Sequence, residues 1–491
     1  MKSDATSHDM TMNGAAEAQG RHAGIPEPSR YGNNHQLALY LAALVIFVAL
    51  SYAVYVTPLN LNDFLMHLFL FETRSLYRTF ERAFIDHPHG PEWRPLQLLS
   101  AQIIYQYLAQ GYEHLVFKGM LVVSLCVTGG LFVRLLKVES WPDVLAGVIA
   151  IFVLVGHQSF TGAVEAVYPY GVEIILVACE LAVLNILLRK SSIASELVAL
   201  ALSVFAIFLN EKGGLVGVTY IVGSVLRLPG GTLRSAAFLF AIYVLVVLYR
   251  ISWFKTVFDI TERSVAHDPA GALFNTVAPI LNILISDPRY VVFRAIPQAF
   301  MARPWAIIYL ASSLLLSALI VAWAWSNLRQ AKGTYSDELK VAAILPFLLL
   351  GSAMFGPFSQ KDYIAIMALT GYAVVSFYAL KWLFSHTLQA PRLATYALLL
   401  SLGVGLAFCW SVRAAGLVFH LRNASFSYQE EWVFELDRLG KAREFPASVT
   451  QPIIARLQPE ALWRPLNDPN LIFPLPIVRL MQGRGCPEVC N

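Results

Sequence analysis

Charge is what this sequence has least of. Charged residues fill 14 % of its 491 positions, where a soluble domain carries about 25 %, and the mean hydropathy is +0.58. So few charges cannot keep a surface of this size in water, so much of it must meet lipid. The basic residues are spread thinly and the net charge is only +4, which excludes the clustered basic face of a nucleic-acid-binding protein. Cysteines number five, and none is spaced as a zinc site requires. No glycine-rich phosphate loop follows a strand, and no Ser-His-Asp arrangement stands out. Residues 1–35 lack any apolar run. Rich in Gly, Ser, Asn and His, they are predicted to be a disordered cytoplasmic tail and not a signal peptide.

Apolar runs dominate what remains. Crossing about 30 Å of hydrocarbon takes roughly 17–25 residues. Eleven stretches are candidate spans, at about 37–56, 114–133, 142–156, 170–188, 194–209, 213–226, 235–250, 304–325, 341–355, 363–380 and 393–412. The segment 95–110, "PLQLLSAQIIYQYLAQ", carries four Gln and reads as an interfacial or half-inserted helix. With the N-terminus inside, the short inner loops hold Arg134 and Lys137, Arg189 and Lys190, Arg227 and Arg234, then Arg329, Lys332 and Lys340, and last Lys381 and Arg392. The short outer loops hold only Lys212 and Lys361. This alternation is the positive-inside pattern. It leaves long outer segments at 57–113 and 251–303 and an outer tail, 415–491, beyond a transmembrane domain at 36–414. Cys486 and Cys490 in that tail either close a small disulfide on the oxidising side or remain two thiols.

Ionisable residues beside spans are costly and default to paired or functional roles. The outer ends collect them. Asp63 follows the first span in "TPLNLNDF", and His157 and Glu165 flank the hairpin "GHQSFTGAVEAVYPYG". Glu211 and Lys212 occupy the tight turn "FLNEKGG", and Lys361 and Asp362 open the tenth span. The first outer segment adds "DHPHGPEWRPL" with Asp86, His87, His89, Glu92 and Arg94. Each has a plainer reading. Asp63 suits a helix N-cap, two His in a Pro-Gly loop are commonly surface, and Glu211 and Lys212 can simply neutralise each other. Asp86, His87 and His89 are weak candidates for holding a divalent cation. Stretches 61–84 and 273–285 have the apolar stripe of helices lying in the membrane interface. A polar site facing outward beside interfacial helices points to an enzyme acting on a lipid head group.

Five stretches together resemble the GT-C-fold glycosyltransferases, in particular the membrane part of the O-mannosyltransferase-like group. They are "LNDF" after the first span, "EWRPLQLLSAQIIYQYLAQGYEHLVFKGMLVVSL", "EAVYPYGVEIILVACELAVLNILLRK", "FLNEKGGLVGVTYIV" and "SQKDYIAIMALTGYAVV", covering roughly 36–230 and 340–385. The chain departs from that pattern in having a single Asp63 after Asn62, a reversed Glu211-Lys212 order, a more distant His157 and no repeat array. The resemblance implies an all-α, polytopic GT-C-like fold and a polyprenyl-phosphate-linked sugar donor used on the outer side of the membrane; the absence of an organellar signal and the compact arrangement make a bacterial inner membrane, with a periplasmic site, the expected location. The acceptor would be a lipid, a glycan or a protein. In that chemistry Asp63 is the base, and Glu165 orients the acceptor or assists. Arg94, Lys212 and Lys361 meet the lipid phosphate, with Arg294 and Arg303 as further cations. Tyr168 and Tyr170 stack on sugar, and Glu211 and His157 complete the donor site. Alternatives are an O-antigen polymerase or ligase, or a lipid or solute transporter, which would place ionisable groups in mid-span.

Overall fold

The computed structural model describes residues 30–57, 75–84, 94–109, 112–165, 171–254, 269–285, 305–331, 334–355, 362–388 and 392–441. Among them there is no strand. The helices are α1 (Arg30–Val56), α2 (Leu76–Phe84), α3 (Pro95–Ile104, continued by a π-helical turn over Tyr105–Ala109), α4 (Glu113–Leu135), α5 (Trp141–Val155), α6 (Gln158–Glu165), α7 (Val172–Leu187) and α8 (Ile193–Leu209). After these come α9 (Gly214–Val225), α10 (Leu233–Phe254), α11 (Pro269–Ile285), α12 (Trp305–Gln330), α13 (Asp337–Phe355), α14 (Ile366–Leu388) and α15 (Leu393–Lys441).

A helix lies at every predicted span. Seven of them (α1, α4, α10, α12, α13, α14 and α15) are long and apolar enough to cross a membrane, and the pair α5 and α6, bent by 58°, makes an eighth if it counts as one span. The chain is therefore a polytopic helical membrane protein. Helices α7, α8 and α9 are shorter, at 16, 17 and 12 residues. Helix α15 runs unbroken for 49 residues, straight through the boundary drawn at 414, because nothing between 412 and 441 is a proline.

Local chemistry sets the ends. Ser140 accepts the Asp143 amide and Pro142 occupies the first turn of α5, a favoured opening. Ser192 and Ser195 cap α8 reciprocally. Gly171 precedes α7 with φ +73°, a left-handed conformation that a Cβ disfavours. Helix α14 is the centre of the bundle, its side chains from Ile366 to Phe377 all buried. It packs against α5, α13, α12 and α15. Helix α10 is the opposite case, with Phe238, Phe240, Leu245 and Leu248 exposed as a lipid-facing surface must be.

The helices α3 and α11 differ from simple interfacial helices. On α3, Gln97 and Gln102 are wholly buried while Ile103, Tyr107 and Leu108 are exposed; its polar side turns into the protein because partners wait there. On α11, Asn282 and Ile283 are buried and the Leu284 carbonyl accepts the Ser317 hydroxyl of α12.

Polar contacts sort by end. At one end Gln36 of α1 bonds Val133 and Val138, Lys381 of α14 pairs with Asp143, Gly230 bonds Leu187 and Lys340 bonds the Arg227 carbonyl. All of these belong to loops that the charge alternation assigns to one face. At the other end Thr57, just past α1, bonds Leu421 of α15, Tyr249 of α10 bonds Phe84 of α2, and Arg94 reaches Glu211.

Candidate functional site

The second of these ends gathers the charged groups. Arg94 stands just before α3, where Pro95 starts the helix. Its Nε donates to Glu211 Oε2 at 3.3 Å and its Nη2 to Glu211 Oε1 at 3.3 Å. This two-pronged geometry is the one that suits guanidinium and carboxylate. The side chains are 7 % and 16 % exposed. Glu211 sits on the one-turn link between α8 and α9, whose shape Asn210 fixes by accepting the Lys212 amide at 3.1 Å. Asn210 also donates to Gln97 Oε1 at 3.4 Å, so α3 and the link are joined twice. Lys212 turns the other way and pairs with Glu173 at the start of α7, Nζ to Oε1 3.4 Å. Arg250, near the end of α10, lies within Coulomb reach of Glu211.

Glu211 and Lys212 therefore do not merely neutralise each other across the turn. Each binds a residue of a different helix. Burial raises the Glu211 pKa, but the Arg94 charge and hydrogen bonds, then the local backbone and Lys212, outweigh it and hold the carboxyl below its ordinary value. Because the native value is the lower one, this stabilisation is present above the ordinary carboxylate value of about 4 and is lost as pH falls through the native value. Glu211→Gln should thus be less stable at neutral pH and lose less of its Tm on acidification below about pH 4. An acid limb as steep as wild type would show that another group sets it.

His157 belongs to a separate cluster. Its Nδ1 accepts the Ser159 amide at 3.1 Å, so Nε2 carries the proton and donates to the Asn282 carbonyl at 3.0 Å. Beside it Arg413 of α15, 1 % exposed, donates to Ser312 and Ser313 at 2.9 and 2.8 Å and to the Gly156 carbonyl at 3.3 Å. The guanidinium lies 3.7 Å from the centre of the Trp410 ring, a cation–π contact. The break between α5 and α6 is where these helices meet.

Of the predicted site residues, the fold brings together Arg94, Glu211 and Lys212 and sends His157 to the Arg413 cluster. Glu165 ends α6, and its side chain is outside the described residues. So are Asp63, Lys361, Tyr168, Tyr170, Asp86, His87 and His89. Among the described residues no group of three His, Cys, Asp or Glu comes together to hold a metal. Sequence reasoning missed Gln97, Glu173, Asn210, Arg250 and Arg413. A usable signal was present for two of them, since Arg250 and Arg413 are single basic residues at span ends where the positive-inside bias predicts none. Comparison with protein-family models, with curated proteins and with solved structures returns no match for this chain.

Proposed function

We propose that this protein is an inverting glycosyltransferase of a bacterial inner membrane, moving a sugar from a polyprenyl-phosphate donor to a lipid, glycan or protein acceptor on the periplasmic side. In this reading the chain crosses eleven times, with its N-terminus in the cytoplasm. The observation that carries it is the cluster of buried Arg94, Lys212 and Glu173 with half-buried Glu211 and Arg250, drawn from the start of α3, α7, the link from α8 to α9 and α10. A cluster of paired cations at one end of an apolar bundle suits the phosphate of a lipid whose tail stays in the membrane.

The proposed reaction takes its base, Asp63, from the sequence resemblance and its phosphate-binding cations from this cluster. The acceptor hydroxyl gives its proton to Asp63 as its oxygen attacks the anomeric carbon from the face opposite the phosphate. The bond between that carbon and the phosphate oxygen breaks, its electron pair stays on the phosphate, and the centre inverts. Arg94 and Lys212 stabilise the departing phosphate. Their carboxylate partners hold them in place beforehand, so little reorganisation is needed as charge develops.

Asp63→Asn tests the reading. Envelope glycans and glycolipids from cells making wild-type or variant protein at matched levels, compared by mass spectrometry, should differ by loss of one defined sugar. Removal of a general base costs about 10²–10⁴-fold in rate, enough to empty the product pool. A profile unchanged by the variant, with the wild type demonstrably active, returns Asp63 to a capping role.

A further inference from the structure

Glu180, halfway along α7, takes no part in that chemistry. It is 0 % exposed, as is Thr219 of α9, whose hydroxyl is 2.6 Å from Glu180 Oε1. The second oxygen, Oε2, is buried without a hydrogen-bond partner. Helices α7 and α9 pack side by side, and two rungs join this seam: Lys212 to Glu173 and, seven residues on along both strands of the chain, Thr219 to Glu180. Seven helical residues advance about 10 Å. The second rung therefore lies about 10 Å deeper in the bundle than the charged one.

The surroundings of the deeper rung hold no counter-charge among the described residues. Cys179 adjoins it on α7, Tyr220 follows Thr219 on α9, and Tyr243 of α10 comes within Coulomb reach while bonding the Ser203 carbonyl of α8. On α14, Tyr372 turns to Ser317 and Tyr378 to Trp323 of α12. Glu196, at the far end of α8, is held by Ser191, Thr232 and Ser235. On α4, Lys118 lies a turn before Leu121, the residue packed on Gly171 at the outer start of α7. Lys212 is engaged by Glu173. An ionised carboxylate with one hydroxyl to solvate it is strongly disfavoured in such a place, whereas a carboxylic acid needs no partner cation.

We propose that Glu180 is a proton-binding site inside the bundle, occupied at neutral pH and tied to Thr219.

Infrared difference spectra of the purified full-length protein in lipid nanodiscs at pH 7 test this. Wild type minus Glu180→Gln should show the carbonyl stretch of a protonated carboxylic acid, above the amide I band. Thr219→Val should keep that band and move it to higher wavenumber, since its hydrogen bond is gone. A carboxylate stretch in its place overturns the proposal. Should Glu180→Gln fail to fold, the Thr219→Val spectrum decides alone: no displaced acid band, no proton site.

Discussion

Replacing Lys212 with Met should lower the Tm of the detergent-purified protein by several degrees, and adding Glu173→Gln to the same chain should restore most of it. The two side chains are 5 % and 0 % exposed. Removing one partner of such a pair leaves an uncompensated buried charge, at a cost of about 3–5 kcal/mol. Removing both with groups of similar shape is close to neutral. The favourable attraction in the pair matters less here than the penalty of breaking it, so the double variant is the informative one. Adding Glu173→Gln to Lys212→Met, then, separates a structural pair from a cation held for a ligand. If the double variant recovers stability but not binding of the proposed lipid-phosphate donor, the pair serves that ligand and not the fold alone. If Lys212→Met alone is as stable as wild type, the 3.4 Å contact with Glu173 does not constrain the fold.

Gly213→Ala should abolish most of the folded yield, while Gly214→Ala, one position on, should be tolerated. Gly213 has an ordinary φ of −61°, so its requirement is space and not conformation. A Cβ there would run into the backbone carbonyl of Ala206, in the interior of α8. That carbonyl is fixed, because it accepts the Asn210 amide at 3.0 Å. At Gly214 the nearest atom to a Cβ is Ile207 Cδ1, at 3.9 Å, a normal contact, and replacing Gly by Ala in a helix is favourable by about 1 kcal/mol. Forcing the link apart at Gly213 costs overpacking energy of about 1–3 kcal/mol and also swings Glu211 and Lys212 away from Arg94 and Glu173. The losses compound. Fluorescence-detected size exclusion of the two variants side by side gives the answer. Equal yields would mean that the link relaxes more easily than its packing indicates.

The polytopic helical character was legible in the sequence; among the described residues seven helices, or eight with the bent pair counted as one span, are long and apolar enough to cross a membrane. Apolar length located a helix at each predicted span, since a backbone in lipid has to satisfy its own hydrogen bonds. The count of basic residues on alternate loops grouped the loop ends that the fold then joins, as in Gln36 with Val138 and Arg94 with Glu211. It did not show how far α15 continues past 412, because the end of an apolar run marks the end of the membrane and not of the helix. Nor did it show that the Gln residues of α3 turn inward. An amphipathic pattern gives two faces, and only the neighbours decide which one is buried.

For the site the division is sharper. Residue type and loop placement by themselves singled out Arg94, Glu211 and Lys212, because charges beside spans are too costly to be incidental. They also fixed the class of the protein, since a chain with this little charge can only be solvated by lipid. The pairings were another matter. Arg94 lies 117 positions from Glu211 and Lys212 lies 39 from Glu173, and in the sequence Glu211's nearest opposite charge is its own neighbour. Only the packing of α3, α7 and α9 around one tight link chose otherwise, because a buried charge binds whichever opposite charge the helices bring within reach.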